Sequence, residues 1–370
     1  MKNAAHLLLI TDARPASIHL PLAQRCSVIE RMPKWLICIP LAVQWLWLSL
    51  RYLSPTLPSA ANPAILSGGL VGEGKLDYFN GAGLHARQSI ADYCAISMHC
   101  KPSKRMLAKR MRAAQLDFPI IAKPNLGLCG YGVQRIDDLD ALHAYCQAFP
   151  LHETIVLQRY LSAVGEAGIF YSRDPERDVG ELIGLALRDA PCVIGDGVHT
   201  IDELIRNSTR ARRLLHSPLH RCAVDQTQIP AAGVSVRLAT IGSTRVGGLY
   251  RDGAQWISPH LSAAIDAIAR DMPAFYFGRF DVRFDDLDEL RAGRGFTIIE
   301  INGAGSEAIQ AWDPDIAIVT AFKMIFDKQR RLFAIAHQLR QRGVRPIGLL
   351  ALARLYRRQQ KLIALYPPSN

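Results

Sequence analysis

The sequence predicts a mixed α+β (α/β) fold, and three observations predict it. Strand-type and helix-type runs alternate between Lys104 and Leu157. Two later β-type runs, Phe280–Phe284 and Phe296–Ile301, flank a strongly charged connection over residues 285–295, as a long-looped hairpin would. A composition of 49% apolar and 21% charged residues is that of a chain that buries a core. At 370 residues it exceeds what one compact core holds, so two or three packed subdomains are expected.

Residues 1–60 form an N-terminal segment whose marked feature is Trp35–Leu50, 16 uncharged residues between Lys34 and Arg51. A bilayer needs about 20, so this stretch is too short to span one. Its tryptophans Trp35, Trp45 and Trp47 leave two readings open, a core helix or a segment lying in a membrane interface. The apolar run Leu7–Ile10 ends at Asp12 and Arg14, too early for the core of a secretion signal. Ser54-Pro55-Thr56-Leu57-Pro58 breaks the pattern as a linker does.

A glycine-rich loop, Ser67–Lys75, then leads into a short helix over Leu76–Phe79. Gly69 to Lys75 has P-loop spacing, but Leu76 stands where a P-loop needs Ser or Thr to hold Mg²⁺. Next come a basic helix over Lys104–Gln115, strands over Phe118–Ala122 and Gly132–Ile136, a helix over Asp137–Phe149 with acids at its start, and a strand over Thr154–Leu157. The last fifty residues read as two helices broken near Gly343 and Pro346. The units expected are therefore 1–60, 61–157, 158–320 and a tail over 321–370.

The net charge of +11 is unevenly placed. Ala321–Asn370 holds eleven Lys or Arg against one acid, Asp327, which accounts for +10 of it. A nucleic-acid enzyme carries basicity across its binding face, so no nucleic-acid partner is expected. Arg354, Arg357, Arg358 and Lys361 in the tail suit either a solvated face or peripheral contact with an anionic membrane. The eight cysteines form no C-x-x-C pair, which fits reduced thiols in the cytoplasm, at the inner membrane face if such contact is made. His216-x-x-x-His220-x-Cys222 is the one metal-like spacing, and Pro218 would break the helix it needs.

Two stretches carry chemistry. In Phe118-Pro-Ile-Ile-Ala-Lys123-Pro124 a lysine ends a buried strand, a costly position unless an anion meets it. Gly127, Gly130 and Gly132 follow, leaving backbone N–H groups free to approach phosphate oxygens; the alternative is a surface turn. In the second stretch, Arg279 and Asp281 share one strand face and Glu300 and Asn302 share a face of the partner strand, because side chains alternate. Such an oxygen set suits Mg²⁺. The alternative for Glu300 is a structural salt bridge to Arg279 or Arg283.

The strand–Lys-Pro–glycine loop, then Arg-x-Asp and Glu-x-Asn about 150 residues on, resembles the ATP-grasp superfamily, D-alanine–D-alanine ligases in particular. Val193–Ile205, with Gly195-Asp196-Gly197 and Thr200-Ile-Asp-Glu-Leu-Ile205, is similar to a segment of cyanophycin synthetases. The resemblance spans roughly residues 75–320. It implies an ATP-grasp fold, in which two α+β subdomains clasp the nucleotide, and an ADP-forming ligase that joins a small-molecule or peptide carboxylate to an amine or thiol through an acyl phosphate. A kinase acting on a hydroxyl and a non-catalytic nucleotide-binding scaffold remain the alternatives.

The resemblance also implies site residues. Lys123 would bind the α- and β-phosphates beneath a lid loop of Gly127, Gly130 and Gly132, with Lys75 as the upstream phosphate lysine in preference to Lys101, Lys104 or Lys109. Gln158, Tyr160 and Leu161 would belong to the adenine hinge, and Glu166 would hold the ribose hydroxyls. Asp281, Glu300 and Asn302 would hold two Mg²⁺ ions, for which Mn²⁺ could substitute. Arg279 would steady the acyl phosphate. The sequence departs from the family at Gln158, where an acid is usual, in a hinge-to-Glu166 spacing longer by about a residue, and before residue 75, where no full-size N-terminal α/β domain is recognisable.

Overall fold

The computed structural model describes residues 26–216, 222 and 224–370. Leu7–Ile10, Pro218 and His220 lie outside them. The first helix, α1 (Val28–Arg31), opens on a capping box in which Ser27 and Glu30 satisfy each other's backbone N–H groups. After Pro33 the apolar stretch forms one helix, α2 (Lys34–Arg51).

A first sheet follows. The chain passes through α3 (Lys75–Gly81), α4 (Leu84–Gln88), β1 (Tyr93–Ser97), α5 (Lys104–Ala113), β2 (Ile120–Pro124), β3 (Gln134–Ile136), α6 (Leu139–Ala148) and β4 (Thr154–Arg159). Ser103 and Asp138 cap α5 and α6, each side chain accepting from a backbone N–H in the first turn. The strands pair antiparallel in the order β1-β4-β2-β3. Leu107 and Met111 of α5 and Leu142 of α6 pack with Ile120, Ala122, Ile155 and Leu157 of the sheet.

The second sheet is larger. Its chain order is β5 (Gly165–Ser172), β6 (Glu181–Asp189), β7 (Cys192–Ile194), α7 (Ile201–Asn207), β8 (Ser235–Arg237), β9 (Leu249–Asp252), α8 (Pro259–Arg270), β10 (Phe277–Phe284), α9 (Leu287–Arg291) and β11 (Phe296–Asn302). Five of these strands pair antiparallel in the order β11-β10-β5-β6-β9, while β7 and β8 form a separate ribbon. Leu261, Ile265 and Ile268 of α8 cover the sheet over Ile169, Phe280 and Val282. The fold class is thus mixed α+β, with both main sheets antiparallel.

The hairpin predicted over Phe280–Ile301 is β10–β11, and its charged connection holds α9, capped by Asp286. The central strand β5 is buried at every position. It therefore shows no alternation from which a strand could be read.

Two helices close the chain, α10 (Ile318–Gln341) and α11 (Leu349–Ile363). The tail does not stand away as a free basic helix. Leu362, Ile363 and Tyr366 join the core of the first sheet, Tyr366 stacking on Phe149 at 5.2 Å. The Tyr366 hydroxyl donates to the Leu126 carbonyl at 2.6 Å, and Gln359 Nε2 donates to the Gly127 carbonyl at 3.2 Å. Asn370 Oδ1 accepts from the Arg135 N–H at 2.9 Å. The tail therefore anchors the glycine loop and β3.

Helix α2 packs one side against the body and leaves the other exposed. Ile37 and Leu48 face inward, and Trp45 packs edge-on against Phe333 of α10 at 5.0 Å, its indole N–H donating to the Pro55 carbonyl at 3.0 Å. Trp45 is thus a core residue rather than an interfacial one, whereas Trp35 and Trp47 are exposed. Among the described residues, no helix is long and apolar enough to cross a membrane.

Candidate active site

The site is assembled where the two sheets meet. In the β10–β11 pair, Arg279 lies opposite Asn302 and Asp281 opposite Glu300, which puts four polar side chains on one patch of the hairpin. Asp281 is 0% exposed. Its Oδ1 accepts from Arg279 Nε at 2.5 Å, and its Oδ2 accepts from Arg279 Nη2 at 2.9 Å, Arg188 Nη1 at 3.2 Å and Asn302 Nδ2 at 3.4 Å. The bidentate fork holds Arg279 against the sheet.

Lys123 comes from the first sheet. It ends β2 and is 5% exposed, with its ammonium donating to Gln158 Oε1 at 2.7 Å and to the Ile299 carbonyl of β11 at 2.8 Å. One buried ammonium therefore spans both sheets. Burial lowers its pKa to about 7, against the pull of Glu300, and Lys75 nearby adds to the fall. Gln158, the residue where the family pattern has an acid, is the amide that receives this lysine. A carboxylate there would hold the lysine charged; the neutral amide leaves it free to titrate.

Lys75 opens α3 and places its Nζ 3.2 Å from Glu300 Oε1. The same ammonium lies against Gly127, where a Cβ would come within 2.9 Å of it. Lys101 instead donates to the carbonyls of Cys146 and Phe149, Lys104 pairs with Asp140, and Lys109 is exposed. Of the four candidates, Lys75 is the one at the carboxylates. Burial works against the charge on Glu300, but Lys75, Lys123 and Arg279 outweigh it and hold its pKa down to about 2. Neither Arg279 nor Arg283 pairs with Glu300, so the structural salt bridge weighed from sequence is not formed. Arg279 goes to Asp281 and Arg283 to Glu166.

Glu166, on β5, is gripped on both oxygens, by Arg188 Nη1 at 2.9 Å and Arg283 Nη2 at 3.0 Å. Burial opposes its charge, and the two guanidiniums still lower its pKa. To accept ribose hydroxyls it would have to loosen one of these bonds. Tyr160 and Leu161 lie just beyond β4, with the Arg135 guanidinium 4.7 Å from the centre of the Tyr160 ring.

The three loop glycines differ. Gly127 faces Lys75, whereas a Cβ on Gly130 would meet Ile241 at 3.0 Å and one on Gly132 would meet Pro124 at 2.8 Å and Tyr366 at 3.0 Å. Both Gly130 and Gly132 have φ near +75° and +74°, a backbone state that a side chain disfavours. Gly132 thus serves close packing under the tail as well as the turn.

Sequence reading missed two residues. Arg188 on β6 joins Glu166 to Asp281, and its strand carried no motif to mark it. Glu73 was visible only as a letter in a glycine loop. Its Oε2 is sealed from solvent with no partner among the described residues, and burial raises its pKa to about 7.

The donor set fits a hard divalent cation in a limited way. Among the described residues, no three His, Cys, Asp or Glu side chains gather as a metal site. Asp281, Glu300 and Asn302 together offer two carboxylates and one amide oxygen on adjoining strand positions. Mg²⁺ characteristically takes one or two carboxylates and completes its shell from phosphates and water, so these residues fit it only with a polyphosphate present. The charges say the same. Three carboxylates (Glu166, Asp281, Glu300) stand among four cations (Lys75, Arg188, Arg279, Arg283) and the titratable Lys123, leaving between one and two positive charges for an anion to neutralise.

No family model matches the chain, and no curated protein does. Solved structures do. A bifunctional glutathione synthetase from Pasteurella multocida aligns at 17% identity over 65% of this chain and 34% of its own, with a TM-score of 0.32. The D-cycloserine synthetase DcsG aligns at 11% identity over 68% of this chain and 65% of its own, TM-score 0.36. A D-alanine–D-alanine ligase from Bacillus anthracis aligns at 13% identity over 75% of this chain and 72% of its own, TM-score 0.42. The match thus spans about a third of the first protein and just under two thirds of the second. At this distance the likeness assigns no chemistry, and the reading of the site rests on this chain's own side chains.

Proposed function

We propose that the chain is an ATP-dependent carboxylate–amine ligase that works through an acyl phosphate. One observation carries the reading. Lys75 of α3 and Lys123 of β2 meet Arg279, Asp281, Glu300 and Asn302 of the β10–β11 hairpin in a buried cluster with surplus positive charge. A triphosphate supplies the missing negative charge and gives both ammonium groups an anion in place of a protein carbonyl or carboxylate.

In the first step a substrate carboxylate oxygen attacks the γ-phosphorus of ATP. The bond to the β,γ-bridging oxygen breaks, and ADP leaves. Lys75 and Lys123 hold the phosphates, and Arg279, kept in place by Asp281, meets the oxygens of the acyl phosphate. Mg²⁺, held by Asp281, Glu300 and Asn302, would neutralise charge on the transferring phosphoryl group. In the second step an amine attacks the acyl carbon, phosphate departs, and the nitrogen gives up a proton. The departing phosphate can accept that proton. Since positioning and charge carry most of such a reaction, few bases are needed.

The test is ADP release from ATP across panels of amino acids, peptides, polyamines and lipid head-group amines, with product mass determined for each hit. The expected product is an amide, formed with one ADP and one phosphate. A stable phosphorylated hydroxyl would make the chain a kinase. ATP binding without ADP release on any panel would leave a scaffold.

A further inference from the structure

The outward face of α2 plays no part in the site. Trp35, Ile39, Val43, Leu46, Trp47 and Leu50 recur at three- and four-residue steps, so they line one side of a helix of 18 residues, about 27 Å long. All six are exposed, Trp35 at 65% and Leu50 at 66%. A groove of about 650 Å³ adjoins them, walled by Pro40, Val43, Gln44, Trp47, Phe326 and Arg330. The opposite side of α2 already secures it through Ile37, Trp45, Leu48 and the bond from Gln44 Nε2 to the Phe326 carbonyl at 2.9 Å. The stripe is therefore surplus to folding, and a contiguous apolar face of this kind marks an interaction site.

The charges around it identify the partner. No Asp or Glu occurs between Arg31 and Gly72. Lys34 stands at one end of the helix and Arg51 at the other, its guanidinium 5.5 Å from the centre of the Trp47 ring. Arg330 lines the groove, in an ion pair with Asp327. If a second copy lay antiparallel on this stripe, Lys34 of each chain would oppose Arg51 of the other, and like charges repel. A broad anionic surface with an apolar interior satisfies both ends and the stripe between them.

We propose that α2 docks the chain on an anionic membrane, lying in the interface with Trp35 and Trp47 among the acyl chains and Lys34 and Arg51 against lipid phosphates. The helix lies on the bilayer and does not span it.

Flotation of the full chain tests this, with vesicles of phosphatidylcholine alone and of phosphatidylcholine with phosphatidylglycerol in equal parts. The chain is expected to float with the mixed vesicles and to stay behind with the neutral ones. Trp35→Ala combined with Trp47→Ala should lower partitioning roughly tenfold, and Lys34→Gln with Arg51→Gln should remove the anionic preference. Because these side chains are exposed, the variants should melt with the wild type, which separates docking from folding. The proposal is overturned if the wild type ignores anionic vesicles, if the tryptophan variant floats equally well, or if the wild type is a dimer that this variant turns into a monomer.

Discussion

Glu300 and Glu166 are both buried carboxylates with lowered pKa values, yet they are held in different ways. Glu166 has a guanidinium on each oxygen, and both arginines are anchored in the same sheet. Glu300 has one ammonium, Lys75, on one oxygen, and Lys75 is the first residue of α3, outside that sheet. Arginine gives a planar, permanently charged fork, while lysine gives a point charge on a flexible stem. The Glu166 end is therefore a fixed frame, and under the proposed function the Glu300 end is the one that would exchange its partner for a phosphate-bound cation.

This contrast is open to experiment. Glu300→Gln should abolish substrate-dependent ADP formation, measured by a coupled assay, with a modest change in melting temperature. Retained turnover would end the ligase reading. Next, Lys75→Met should slow ADP formation about 100-fold, the scale of losing one oriented charge contact, whereas Lys104→Met should change nothing.

Glu166→Gln should show the opposite pattern. Leaving Arg188 and Arg283 short of a partner in a buried site should cost roughly 3 kcal/mol of stability by urea unfolding. A larger loss from Glu300→Gln than from Glu166→Gln would reverse the assignment of frame and exchangeable end. The pH behaviour follows from the signs. Both carboxylates have folded pKa values below their unfolded ones, so their stabilisation is present above about pH 4.3 and is lost as pH falls; for Glu300 that loss runs down to about 2.

The smallest effect concerns Lys123. Its pKa of about 7 leaves it largely neutral at pH 8, and a bound polyphosphate would favour the ammonium. Nucleotide binding at pH 8 should thus take up a fraction of a proton, read by calorimetry in buffers of different ionisation enthalpy. Proton release, or the same uptake in Lys123→Met, would show that the lysine does not meet the phosphates.

Much of the site could be read in the sequence because its residues cluster locally. Arg279 with Asp281, and Glu300 with Asn302, are two apart on predicted strands, so alternation alone brings each pair to one face. Lys123 stood out as a charge ending an apolar run. The frame could not be read. Arg188 and Glu166 lie 22 positions apart, the first on β6 and the second on β5, whose uninterrupted burial erased the alternating signal. The packing of the tail could not be read either: Arg354, Arg357, Arg358 and Lys361 are exposed, as a solvated basic face would be, while Leu362, Ile363 and Tyr366 pack, and summed charge does not register which residues turn inward.

From the sequence alone came the antiparallel hairpin, helices such as α5, α6 and the closing pair, the polar pairs on the hairpin strands and an apolar stretch too short for a bilayer, because each is written in spacing over a few residues. Only the tertiary structure decided which cation meets which carboxylate, that the tail anchors the glycine loop, and that α2 packs Trp45 against Phe333 while exposing Trp35 and Trp47. Ion pairing and burial depend on distances between segments remote in the chain, and those distances exist only once the sheets have packed.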